Sequence, residues 1–305
     1  MVAEDPVALP VGVRAARGAS PSRRLWRATR RQTEFQVGAI LFFLLLATAI
    51  VYPHFSPFSG SKIMVLDRFL SPPFLGGGTW IHPLGTDELG RDLFVRSLMG
   101  LQNALMIAVS TVVIMFAVGT KIGLISGYFG GWVDMILMRI TDAQFSVPLI
   151  ILAIIILTVS RPTPGAVILV LALSGWPVYA RVTRSIMLSE RRKEYVRGAK
   201  ILGTSDLRTI LEIIAPNIVP PIAFVAVLDI ARMMIYEAIL GFIGIGVQPP
   251  VPTFGNMIAD GVEYLINYWW IATMPGVFLF LALISVNLVG ASLERARNQL
   301  LSGTI

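Results

Sequence analysis

Cysteine is absent from this 305-residue chain, which excludes disulfides, thiolate metal sites and cysteine nucleophiles. Histidine occurs only as His54 and His82, and neither sits in a metal-binding spacing. No Gly-x-x-x-x-Gly-Lys-Ser/Thr phosphate loop occurs either, which excludes nucleotide hydrolysis of the P-loop kind by this chain. Charge is scarce as well: 14% of residues are charged, where a soluble domain carries about a quarter.

What is plentiful is apolar. Hydrophobic residues make up 55% of the chain, and the mean hydropathy is +0.74. That leaves too little polar surface to coat a globule, so most of the exterior must face lipid. The net charge of +7 gathers beside apolar runs, the pattern of membrane flanks and not of a nucleic-acid partner.

Six apolar stretches approach the length that crosses a ~30 Å hydrocarbon core as a helix. They lie at about 35–51, 101–125, 132–159 (interrupted by Arg139, Asp142 and Pro148), 165–187, from just after Pro216 to 245, and 269–290. The fold class is therefore all-α, a membrane protein of six transmembrane helices. The first run follows Arg14, Arg17, Arg23, Arg24, Arg27, Arg30 and Arg31 but lacks a small-residue cleavage site, so it reads as an uncleaved span. The tail 1–34, the stretch 188–213 and the tail 294–305 are all basic. Six crossings place these three on one side, the cytoplasmic one by the positive-inside rule. Residues 35–100 then hold the first span, an extracytoplasmic segment and an interfacial helix, and 101–293 the remaining five spans.

Charges also fall inside the apolar runs. Arg139 and Asp142 are three residues apart in the third and would share a helix face; Asp229 and Arg232 repeat that spacing in the fifth, with Glu237 beyond. An unpaired charge at the bilayer centre costs about 2.5–3.5 kcal/mol on insertion scales. Two uses remain open for these five: a polar translocation path, or structural ion pairs between spans and with a partner. A proton relay through Asp142, Asp229 and Glu237 is the rival use, as in a secondary transporter. No metal cluster or nucleophile–base constellation supports an enzyme.

The basic stretch reads as a short helix over Glu194, Tyr195, Val196, Arg197, Gly198 and Ala199, a reversal at Gly203, and a second helix capped by Thr204, Ser205 or Asp206. Upstream, the run Gly85-Thr86-Asp87-Glu88-Leu89-Gly90-Arg91-Asp92 suggests a short amphipathic helix capped by Thr86 or Asp87 and carrying Leu89, Leu93 and Phe94.

Arg197-Gly198-Ala199, Gly203 and Ile213-Ile214-Ala215-Pro216 resemble the EAA motif of ABC importer permeases, with Arg197 where that motif has glutamate. Leu84 to Asp92 and Leu240 to Pro250 are similar to two signatures of the C-type permeases of the dipeptide/oligopeptide/nickel family; Gly127-Tyr128-Phe129-Gly130-Gly131 matches too. The resemblance implies a type I importer fold in which Glu194 to Ser205 form a coupling helix docked on an ATPase. It implies four partners besides lipid: a second homologous permease, two ATP-binding-cassette subunits and an extracytoplasmic substrate-binding protein. This chain would bind no cofactor, with ATP and Mg held by the ATPases. Di- or oligopeptides are the expected cargo; nickel chelates, glutathione and sugar- or opine-type solutes remain alternatives. The Gly85–Asp92 signature has either a structural role or direct contact with the binding protein.

Overall fold

A computed structural model describes residues 21–58 and 60–301. Arg14 and Arg17 of the basic tail lie outside the described residues.

Helix α1 (Pro21–Arg30) leads into α2 (Thr33–Phe55), the first span, and Trp26 packs edge-on against Phe35 across the junction. Residues 56–58 and 60–92 make two single-turn segments, Val65–Asp67 and Pro73–Leu75, and otherwise run as loop. Helix α3 (Leu93–Phe129) has 37 residues. At 1.5 Å per residue it is about 55 Å long, nearly twice the ~30 Å apolar core, so its ends project from the membrane. It is the central post: Ala104, Ile107, Ala108 and Met115 are at most 1% exposed.

Next come α4 (Gly131–Phe145) and α5 (Leu149–Val159), bent 81° from one another. Helix α6 (Pro164–Glu190) lies along α3. Then follow α7 (Glu194–Ile201), α8 (Asp206–Arg208), a π-helical turn at Thr209–Ile214 and α9 (Ala215–Phe242). The chain closes with α10 (Phe254–Val262), α11 (Leu265–Tyr268) and α12 (Trp270–Leu301). Among the described residues, five helices are long and apolar enough to span a membrane, and the bent pair makes up to six.

The crossing directions follow from close approaches. A Cβ on Gly119, Gly123 or Gly127 would lie 2.4 Å from the Trp176 carbonyl, 2.5 Å from the Ala180 carbonyl and 2.7 Å from Met187 Cβ, respectively. Both series of numbers rise together, so α3 and α6 run parallel, backbone to backbone, as small residues permit. Two parallel helices in sequence require the chain to return between them; α4 and α5 therefore act as one bent crossing. At the other edge Arg295 pairs with Glu34 at 2.5 Å. The start of α2, the α7–α8 loop and the end of α12 thus share one end of the bundle.

The interruption of the third span falls at Pro148, which lacks an N–H and constrains Val147, and the helix breaks there. Two sequence expectations need correction. The second span begins at Leu93, because Asp92 caps it. The fifth does not wait for Pro216. Helix persists from Asp206 to Phe242, with the Ala215 N–H bonded to the Ile210 carbonyl in a widened π turn just before the proline. Residues 294–301 of the expected C-terminal tail continue α12 as helix.

Candidate functional site

At one end of the bundle, the Gly85–Asp92 run is a tight loop closed by an isolated bridge between Thr86 and Asp92, and not the expected amphipathic helix. Gly85 and Gly90 have φ of +78° and +75°, which glycine alone adopts without strain. A Cβ on Gly90 would lie 1.9 Å from the Met64 carbonyl, so the loop is held closely against the backbone at Met64. Within it, Thr86 Oγ1 accepts from the Leu70 N–H at 2.9 Å and donates to the Asp67 carbonyl.

Asp87 is the hub. It accepts from the N–H groups of Leu89 and Arg91 at 2.9 Å each and from Arg91 Nε at 2.6 Å, and it lies 3.3 Å from Arg96 Nε. Arg91 also reaches Glu88 at 2.8 Å. Asp92 caps α3 through the Val95 N–H at 2.8 Å and holds His82 Nδ1 at 2.7 Å with its other oxygen. Thr86, Asp87, Arg91 and Asp92 are all buried. Burial, then the negative charge of Asp87, pushes the Glu88 carboxyl up from its ordinary value.

At the opposite end lies the α7–α8 loop. Gly203 turns the chain at φ +78°, and the Thr204 N–H closes on the Ala199 carbonyl at 3.1 Å. Ser205 occupies the position before α8, but its side chain makes no capping bond. Val196 points inward at 1% exposure, whereas Ile201 and Leu202 are 85% and 87% exposed. Nothing stands within 4 Å of a Cβ built on Gly198, so that helix face is open. Glu194, Tyr195 and Arg197 are exposed beside it.

The loop is tied to the bundle at residues the sequence reading had not singled out for this role. Tyr128 donates to Asp206 at 2.5 Å, and Lys200 lies 4.9 Å over its ring. Arg191 donates to the Gly127 and Tyr128 carbonyls at 2.8 and 3.0 Å. Tyr195 donates to Glu190 at 2.6 Å. A bidentate pair, Arg184 to Asp134 at 2.5 and 2.6 Å, joins α6 to α4.

Inside the bundle the expected pair of Arg139 and Asp142 does not form. Asp142 instead meets Arg181 of α6 at 2.8 Å, and Arg181 lies 4.0 Å over the Phe145 ring. Arg139 is exposed on α4. The second pair does form: Arg232 stands 3.0 Å from the fully buried Asp229, whose other oxygen accepts from Tyr179 at 2.7 Å. Glu237 is 1% exposed, beside Thr253 but without a hydrogen bond of normal geometry. Arg181 and Arg184 had a readable signal, being two arginines inside an apolar run.

Residues 119–299 match the model of the binding-protein-dependent transport system inner membrane component family. The chain belongs to that family. A permease of this family is a transport component and not itself a catalyst. The di/tripeptide transport permease DppC of Pseudomonas aeruginosa is 33% identical over 279 residues, 91% of each chain. The dipeptide permease DppC of Haemophilus influenzae is 30% identical over 91% of this chain and 94% of its own. The oligopeptide permease OppC of Mycobacterium tuberculosis is 35% identical over 83% and 86%. Among solved structures, the inward-facing MetNI methionine ABC transporter covers 65% of this chain and 94% of its own, with a TM-score of 0.52 and 19% identity. That likeness shows the fold: an all-α permease with several membrane-crossing helices.

Proposed function

We propose that this permease carries di- or oligopeptides inward as half of a heterodimeric pore, driven by two separate ATPase subunits and loaded by an extracytoplasmic binding protein. The cargo reading rests on the peptide permeases it resembles along nearly its whole length. The coupling reading rests on one observation: an exposed apolar tip, Ile201 and Leu202, on a helix–glycine–helix loop pinned to the bundle. Two leucine-sized side chains almost wholly in water are costly, about 1.5–3 kcal/mol each relative to burial, and a cleft on an ATPase would cover them. Arg197, Gly198, Ala199, Gly203, Thr204 and Ser205 complete the docking surface, with Glu194 and Tyr195 at its base.

On this reading the α7–α8 end, the start of α2 and the end of α12 face the cytoplasm, and the Gly85–Asp92 loop faces outward. ATP and Mg bind the ATPases. Of the five intramembrane charges, the exposure of Arg232, Arg139 and Asp142 supports a role in lining the path, and the burial of Asp229 and Glu237 supports a role behind it. The test is the I201D/L202D double variant in the assembled complex. ATPase co-purification and ATP-dependent peptide uptake should both collapse; retention of both removes the coupling role from this loop.

A further inference from the structure

The bend between α4 and α5 has a consequence beyond topology: it opens a cavity of about 290 Å3 against α6 and α9. Four polar side chains line it, Gln144, Ser174, Arg232 and Tyr236, among apolar ones that include Met115 and Met233. Two of the other cavities in the bundle are lined by apolar side chains and a tryptophan only, and a third holds Glu34 and Arg295 already paired.

Arg232 is held from behind. Its partner Asp229 is fully buried and is itself fixed by Tyr179. Charge attraction keeps the guanidinium beside Asp229, without a hydrogen bond of normal geometry to it, and half of the side chain stays exposed. An arginine offers five N–H donors; one ion pair leaves most of them unused. Gln144 adds a second unused donor, a buried amide nitrogen with no hydrogen-bond partner among the described residues. Such a group is costly to leave unmade. Both vacancies are donors, so the ligand they fit is an acceptor. The ion pair is neutral as a whole, which disfavours a cation.

The size narrows the class. Ligand pockets run from roughly 300 to 1,000 Å3, and this one stands at the low end, the scale of a very short peptide. Methionines in its wall can repack around side chains of different shape.

We propose that this cavity is a way-station for the cargo, holding a short peptide by its C-terminal carboxylate on Arg232 and a backbone carbonyl on Gln144, while the apolar wall tolerates varied side chains. The site rests on the peptide-importer reading above and deepens it.

The test uses the intact complex of both permeases, ATPases and binding protein in proteoliposomes, turning over a dipeptide that carries a diazirine on an aliphatic side chain. After irradiation, mass spectrometry should find adducts on Met115, Met233 or Val178, removed by excess unmodified dipeptide. R232Q should lower the adduct yield about tenfold, the loss of one charge-assisted hydrogen bond, and Q144L should lower it several-fold. Adducts confined to other surfaces, or a yield indifferent to both substitutions, overturn the site. Loss of the second permease from R232Q complexes makes Arg232 an interface residue and also overturns it. Uptake of peptide without cavity labelling sinks the site alone; failure of the wild-type complex to take up any peptide sinks the cargo reading.

Discussion

Replacing Asp87 by alanine probes the buried charge cluster at its hub. The carboxylate satisfies two backbone N–H groups and stands against Arg91 and Arg96, which are 7% and 2% exposed. Removing one partner of a buried ion pair costs about 3–5 kcal/mol, because the other charge is left uncompensated. Two features limit the loss: Arg91 keeps Glu88 at 2.8 Å, and Arg96 keeps the Gly60 carbonyl at 3.0 Å. Against that, the Leu89 and Arg91 amides lose their acceptor, at about 1–3 kcal/mol for each that stays buried. The expected cost is about 3–5 kcal/mol.

This cost should appear first as local opening, since the cluster fastens loop 60–92 to the top of α3. Amides that cross-link the loop, Leu70 N–H to Thr86 Oγ1 and Thr86 N–H to the Leu70 carbonyl, should exchange with deuterium roughly a hundredfold faster or more. The mid-helix amides of α3 near Ile107 serve as the internal reference and should hold their rates. D87N keeps an acceptor but no charge, and should fall between the two. If D87A leaves loop exchange within about threefold of wild type, the cluster is not what holds the loop.

Three further outcomes follow from the same geometry. Because the folded state raises the Glu88 carboxyl above 4.5, it binds that proton more tightly than the unfolded chain. Its stabilising contribution is present below 4.5 and is lost as pH rises through the raised value; E88Q should abolish that part of the pH profile of thermal unfolding. G123L places new atoms where even a Cβ would lie 2.5 Å from the Ala180 carbonyl; it should destabilise the bundle by about 1–3 kcal/mol or more, read as a lower unfolding midpoint in detergent. Y128F keeps the ring under Lys200 but deletes the bond to Asp206. On the proposed reading it should raise the ATP hydrolysed per peptide moved while leaving ATPase co-purification intact; an unchanged ratio removes Tyr128 from the linkage.

The apolar runs were legible because lipid makes the demand uniform: any helix in the core must be apolar along its length. The helix–Gly203–helix reversal was legible for the opposite reason, being local chemistry. Where the sequence misled, a local rule met a distant partner. Arg139 and Asp142 have the spacing of an intrahelical pair, yet Asp142 finds Arg181, thirty-nine residues on, and nothing in an i, i+3 pattern reports a neighbouring helix. At Gly85–Asp92 the signal was present but misweighed. Gly85 precedes the supposed helix and Gly90 lies inside it, and each takes a positive φ; Asp92, at the end of the motif, was the capping residue all along. Pro148 was visible as an interruption, but the 81° bend it permits is set by packing against α6.

The bend gains meaning from what surrounds it. Helix α3 is anchored at one end by the Asp92 cap and the Asp87 cluster, and at the other by Arg191 and the Tyr128–Asp206 bond. Along its middle, three glycines press it against α6 too closely to slide without steric conflict. Force applied at the α7–α8 loop therefore moves α3 and α6 together. Helices α4 and α5 join the ends of that pair: α4 is attached to α6 by the ion pairs Arg184–Asp134 and Arg181–Asp142, the second of them half exposed, and α5 packs against α6 with Ala153 and Leu157 buried. The exposed pair contributes only about 0–1 kcal/mol. Between the two attachments lies the 81° break at Pro148, which donates no backbone hydrogen bond and borders the cavity lined by Arg232, so any change in the bend changes that volume.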